Sequence, residues 1–130
     1  MDEGKILIVN LARGQLGEDT TSLLGALLVT TVALAAFSRA EVEAAGRRPF
    51  FVYLDEFQSF TTRSLATMTA ELRKYAVGVI ASHQYLTQVE PPVIDAVLGN
   101  AGTVICFRWD PVTQRFWQAN LSRSLRRRIW

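Results

Sequence analysis

Asp55 and Glu56 are the residues of this chain best placed to do chemistry. They close the run Phe50 to Glu56, FFVYLDE, in which five apolar or aromatic residues precede an acidic pair. A continuous apolar run of this length suits a strand buried on both faces, as in a parallel sheet covered by helices. Open α/β sheets place their ligands at the carboxyl ends of such strands. An aspartate there can hold Mg²⁺ directly or through water, and the glutamate after it can polarise an attacking water. The alternative is a strand that ends in two solvated acids at its first turn. The pattern by itself does not choose between them.

Other polar groups follow further apolar runs. Gln58 stands two residues beyond the acidic pair. Ser82, His83 and Gln84 follow VGVIA, and Arg108 follows TVICF. In a parallel sheet these ends point the same way, so the groups can converge. Together they make a phosphoryl-transfer set: carboxylates for metal and water, a glutamine for phosphate or water, an arginine for developing charge. Each also has a plainer role. Gln84 can cap a turn, His83 can be a hydrogen-bonded turn histidine, and Arg108 can be a solvated strand end. Arg47 and Arg48 read as a solvated loop. The joint pattern carries the weight, and no single residue does.

These residues need a scaffold, and the composition provides for one domain. The chain has 130 residues, 49% hydrophobic and 20% charged, which fits a packed fold and excludes a disordered one. Net charge is only +2, with Arg123 and Arg126 to Arg128 clustered at the end. Charge alone therefore makes no case for nucleic acid. The single cysteine, Cys106, lies in an apolar run and reads as a buried thiol. No intrachain disulfide can form, which fits a cytosolic fold. One histidine and one cysteine do not make a zinc site.

Met1-Asp2-Glu3 is an acidic start, unlike a signal peptide. Leu23 to Phe37 is almost wholly apolar but falls short of the ~18–20 residues of a spanning helix. Asp19, Thr20, Thr21 and Ser22 offer N-caps before it. A helix packed inside a larger domain is expected, with no membrane segment.

The predicted elements alternate. Lys5 to Leu11 (KILIVNL) reads as a strand, and Arg13 to Gly17 as a glycine-broken loop. Asp19 to about Ala45 reads as helix, bent near Ser38 and stopped at Gly46. Phe50 to Asp55 is the second strand. Ser64 to Tyr75 is an amphipathic helix with Leu65, Met68 and Leu72 on one face. Val77 to Ser82 is the third strand, and Pro91-Pro92 opens a short helix that ends near Gly99-Asn100. Thr103 to Arg108 reads as a fourth strand. Asp110 to Leu121 reads as a last helix, with Asp110 as N-cap and Pro111 in its first turn. This alternation predicts an α/β fold: a mostly parallel sheet in three layers, with helices on both faces.

Three segments carry a family resemblance. GKILIVNLARGQLGEDTTSLLGALLVT, RRPFFVYLDEFQSF and ELRKYAVGVIASHQYLTQVEPPVIDAVLGNAGTVICFR resemble the carboxyl-terminal half of a RecA-like motor ATPase. The group most like them is the TraG/TraD-type coupling proteins of conjugation and type IV secretion, related to the HerA and FtsK DNA translocases. The likeness spans residues 4 to 108. It implies that Asp55 and Glu56 are Walker B residues, with Asp55 the metal and cofactor ligand and Glu56 catalytic. It implies that Gln84 is the sensor glutamine, and that Arg108 falls in the catalytic arginine region, in cis or across a ring interface. ATP and Mg²⁺ are the implied cofactors. DNA, secretion-machinery proteins, a missing N-terminal half or a homo-oligomeric ring are the implied partners. The implied location is cytoplasmic, complete members being tethered to the inner membrane by a segment not seen here.

The sequence departs from that pattern at one decisive place. It contains no G-x-x-x-x-G-K-[ST], so the P-loop cradle and the phosphate lysine are missing. The nearest glycine-rich piece, Arg13 to Gly17, lacks the Lys-Ser/Thr. After Arg108 the likeness ends. Residues 1–108 are therefore expected to be a partial RecA-like domain, and 109–130 a divergent helix with a basic tail. A gene fragment, a split gene or a shifted frame would each give this. The expected function is a truncated piece of a DNA-translocating P-loop NTPase that binds ATP weakly alone. The alternative is a non-enzymatic module that docks on a motor or secretion partner. Lacking its central strand, the sheet is expected to run 5–11, 50–55, 77–82 in parallel, with 103–108 apart or against 77–82. Open edges of that kind favour self-association.

Overall fold

Small residues at steps of three and four decide how the long apolar segment folds. Thr21, Gly25, Val29, Ala33 and Ala36 form one buried stripe of the helix Glu18–Phe37. Small side chains let this helix lie close to its neighbours, and the spacing of three and four keeps them on one face. We describe the protein from a computed structural model, which covers residues 1–59, 68, 70–84, 89–107, 114 and 118. The helices are α1 (Arg13–Leu16), α2 (Glu18–Phe37) and α3 (Pro91–Asn100), and the strands are β1 (Phe50–Leu54) and β2 (Val77–Ala81). The protein is thus a mixed fold of helix and strand. The chain divides into two compact units, residues Met1–Val97 and Leu98–Trp130.

The two strands pair in parallel, Phe50 opposite Val77 and Leu54 opposite Ala81. The Phe50 N–H donates to Ala76 O at 3.0 Å, and the Ser82 N–H donates to Leu54 O at 2.9 Å. The crossover between them is long enough for the helical residues at 70–72 and the 3₁₀ turn Arg73–Tyr75. Ala76 closes that turn in the left-handed region, at φ 59°. Beneath the sheet, Leu72 and Val77 pack with Ala33 and Ala36, ringed by Phe50, Val52, Met68, Tyr75 and Val79. The predicted order of 50–55 beside 77–82 is therefore found.

Several expectations are corrected. Residues 5–11 form no strand, and Ile6 and Ile8 stand 90% and 87% exposed. β-propensity gives an isolated segment little unless a neighbouring strand satisfies its backbone. Residues 103–107 also form no strand and are exposed, Cys106 included, so the buried thiol is not found. Arg108 lies outside the described residues, as does most of the expected helix at 110–121. Residues 13–16 are a short helix where a loop was expected, and Gly17 at φ 80° separates it from α2. No side chain caps α2, so none of the four predicted N-caps acts. The predicted bend at Ser38 is where α2 gives way to the 3₁₀ turn Ser38–Glu41; the α-helix itself does not reach Ala45.

Two arginines are structural, one of them read as part of a solvated loop. Arg39 is only 3% exposed. Its Nη1 donates to Arg48 O and Tyr75 O, each at 3.1 Å, and its Nη2 meets Asp2 Oδ1 at 2.6 Å. Arg47, expected in a solvated loop, donates to Val42 O at 2.9 Å and Lys74 O at 2.6 Å, and lies over the Tyr75 ring. Together they tie the end of α2 and the entry to β1 onto the turn before β2. Such charge-assisted bonds to carbonyls satisfy backbone groups that irregular chain leaves open.

Among the described residues, one helical stretch, Glu18–Glu41, is long and apolar enough to cross a membrane. Its small-residue stripe faces the sheet. Leu23, Leu27 and Leu34 are exposed on the rest of its surface.

Candidate functional site

The site is built where β1 and β2 end together. The parallel register sets the first residues beyond the strands side by side, Asp55 from β1 and Ser82 from β2. The Ser82 hydroxyl donates to Asp55 Oδ1 at 2.5 Å, and the Glu56 N–H donates to the same oxygen at 3.1 Å. Among the described residues no hydrogen bond reaches the second oxygen of Asp55, and the residue is exposed. Two donors thus orient one carboxylate oxygen and leave the other open to a ligand.

Glu56 turns the chain away from the sheet. Its φ is 51°, a left-handed conformation that costs a non-glycine residue on the order of 1 kcal/mol. The turn is held by the Phe57 N–H, which donates to Ser82 O at 3.1 Å, and by the Ser59 N–H, which donates to Glu56 O at 3.0 Å. Gln58 Nε2 donates to Glu56 Oε2, and among the described residues nothing bonds Oε1. The two predicted carboxylates therefore sit next to each other, each with one oxygen held by a neighbouring side chain.

His83 lies behind this crest, half-buried, its ring edge-on to Phe57 at 5.2 Å between centroids. Its Nδ1 is buried and makes no hydrogen bond, so the satisfied turn histidine expected from sequence is not found. Burial lowers its pKa below the ordinary 6.5, and the nearby Glu56 charge opposes that shift. Gln84 is exposed and lines one cavity with Asp55 and Glu56. Arg108 falls outside the described residues, so its predicted place in the site is not described.

That cavity, of about 900 Å³, lies beside β1. Its polar end carries Asn10, Arg13, Ser59 and the acidic pair; Leu28, Val29 and Val32 of α2 line its apolar wall. Arg13 Nη2 donates to Ser59 Oγ, and Ser22 Oγ donates to Ser59 O at 2.6 Å. These contacts bring α1, α2 and the turn after β1 together across long sequence separations, and no local pattern announced them. Ser82 was legible as part of a polar strand end; its bond to Asp55 was not.

The carboxylates fit a hydrated Mg²⁺, because hard oxygen ligands with open lone pairs are what that ion takes. Among the described residues no three His, Cys, Asp or Glu side chains gather around one point, so the protein offers Mg²⁺ only part of a shell. The nucleotide phosphates do not fit equally. Arg13–Leu16 is a single helical turn with no Lys-Ser/Thr after it, and a Cβ on Gly14 or Gly17 would meet nothing within 4 Å. A phosphate cradle needs backbone packed close around the anion. Compared with protein-family models, curated proteins and solved structures, the chain matches none.

Proposed function

We propose that the chain is the Walker B half of a RecA-like motor ATPase of the conjugative coupling type, completed by a P-loop supplied elsewhere. The observation that carries this reading is the pairing of Asp55-Glu56 with Ser82 at the shared carboxyl end of two parallel strands. Such an end is where ASP–GLU pairs of motor ATPases hold Mg²⁺ and water. In the completed assembly Asp55 would hold the metal and Glu56 would polarise the attacking water, and by the resemblance Gln84 and Arg108 would serve the transferring phosphoryl group. The three-layer RecA-like architecture, DNA as track and a secretion machine as partner belong to this proposal.

A second reading is a non-enzymatic docking module. The exposed leucines of α2, Leu23, Leu27 and Leu34, favour it, because apolar side chains on one helix face suit a partner surface. Affinity purification of tagged chain, followed by ATP turnover of the recovered assembly, separates the two. The motor reading expects a P-loop partner and turnover that Glu56→Gln abolishes with nucleotide binding kept. Turnover that survives Glu56→Gln overturns it. A partner without a P-loop and no turnover supports the docking module.

A further inference from the structure

We infer that the cavity beside β1 binds an amphipathic amine, a small molecule with a protonated amino group on an apolar body. Such binding is a property of the chain by itself and holds whether or not Asp55 and Glu56 serve a nucleotide.

The cavity is graded along its length because α2 runs back along β1. Phe50 and Val52, at the start of β1, pack against the cluster that holds Ala33 and Ala36, near the end of α2. At the other end Ser22, near the start of α2, donates to Ser59 O at 2.6 Å in the turn after β1. Leu28, Val29 and Val32 therefore face the body of β1, and Thr21 lies at the end that carries the acidic pair; all of them line the cavity. Its volume of about 900 Å³ is that of a site for a small organic ligand.

What the polar end lacks is a donor. Thr21 is only 3% exposed, and its buried hydroxyl has no hydrogen-bond partner among the described residues. A buried hydroxyl left unbonded costs free energy that a ligand atom can recover. Glu56 is half-buried, and nothing among the described residues bonds its Oε1 or the second oxygen of Asp55. Arg13, the cation at this end, is turned onto Ser59 Oγ. The open groups are thus acceptors, and the carboxylates among them are anionic. An ammonium answers both needs, with several N–H donors and a charge of the right sign. A metal ion would satisfy the carboxylates but leave the wall of Leu28, Val29 and Val32 bare. An apolar body on the amine covers that wall and leaves water in doing so.

Titration of the intact chain with octylammonium, followed by amide chemical shifts, tests this. Saturable shifts are expected at the amides around the cavity, Thr21, Val29, Asp55 and Glu56 among them. Hexylammonium, two methylenes shorter, should bind about tenfold more weakly. Octanoate, with a similar body and the opposite charge, should give no saturable shift at these amides. Thr21→Val keeps the side-chain shape and removes the hydroxyl, so it should weaken octylammonium by about threefold or more. Thr21→Ser keeps the hydroxyl and should bind as the wild type does. Asp55→Asn combined with Glu56→Gln should weaken binding by about tenfold or more. Equal affinity for the two chain lengths would mean that the carboxylates collect any cation. Octanoate shifts at the same amides would mean an apolar cleft with no cation site. Either result overturns the inference, as do affinity unmoved by Thr21→Val, shifts spread over the whole chain, or no saturable shift at all.

Discussion

Ser82, from the end of β2, donates its hydroxyl to Asp55 Oδ1 across the ladder at 2.5 Å. The bond fixes which oxygen of Asp55 faces the sheet and which faces outward. Removing either partner should cost about 1 kcal/mol, the usual net worth of such a bond at an exposed position. Ser82→Ala and Asp55→Ala are therefore expected to lower urea-unfolding stability modestly. In the double mutant the two losses should add to less than their sum. Full additivity would show that the hydroxyl and carboxylate do not interact in solution.

Nucleotide binding is the most direct reading of what the chain lacks. With carboxylates for Mg²⁺ but no cradle for phosphates, the isolated chain is expected to bind ATP·Mg²⁺ weakly or not at all. Isothermal titration should show no saturation through the micromolar range. A micromolar dissociation constant would mean that residues 13–17 hold phosphate despite their sequence.

Ala76 offers a stability gain. It is held at φ 59°, where a Cβ is disfavoured, in order to end the turn before β2. Glycine adopts this conformation without that penalty, although it loses more entropy on folding. Ala76→Gly is expected to raise the unfolding free energy by about 0.5–1 kcal/mol. Thermal denaturation checks it, and a lower midpoint would show that the Ala76 methyl packs for more than it strains.

What could be read from the sequence depended on whether a signal was local. The FFVYL run is preceded by Gly46 and Pro49, each run is followed by polar residues, and both formed strands in the expected pairing. KILIVNL carries an equally strong β signal but formed none. Strand propensity describes fitness for a sheet surface, and among the described residues no third strand lies along this edge. Arg47 looked like a surface charge, and nothing in the sequence marked Arg39, because composition cannot show which carbonyls an arginine will reach. The acidic pair was legible as a strand end, whereas the left-handed turn at Glu56 and the Ser82 bond depend on the partner strand's register.

Arg39 is the heaviest of these hidden contributors. It is buried with its guanidinium on two carbonyls and Asp2. Arg39→Met keeps much of the side-chain volume but leaves Arg48 O and Tyr75 O without this donor. A loss of about 3 kcal/mol is expected, in the range for breaking a buried charged network. Asp2→Asn should cost far less, because Asp2 is largely exposed. Urea titrations of the two variants check the order; equal losses would place the worth of Arg39 in the ion pair.

His83 ties stability to pH. Its imidazole is half-buried against Phe57, its Nδ1 makes no hydrogen bond, and burial holds its pKa below 6.5 in spite of the Glu56 charge. The unfolded chain, with an ordinary histidine, therefore binds a proton before the folded chain does. The neutral ring favours the fold above the unfolded value, and that contribution is lost as pH falls from there through the lower folded value. NMR titration of the His83 ring protons should give a midpoint below 6.5. Glu56→Gln removes the one charge that raises the pKa and should move that midpoint lower still. A midpoint at or above the ordinary value, or an upward move in Glu56→Gln, would show that the imidazole is solvated and that Glu56 does not act on it.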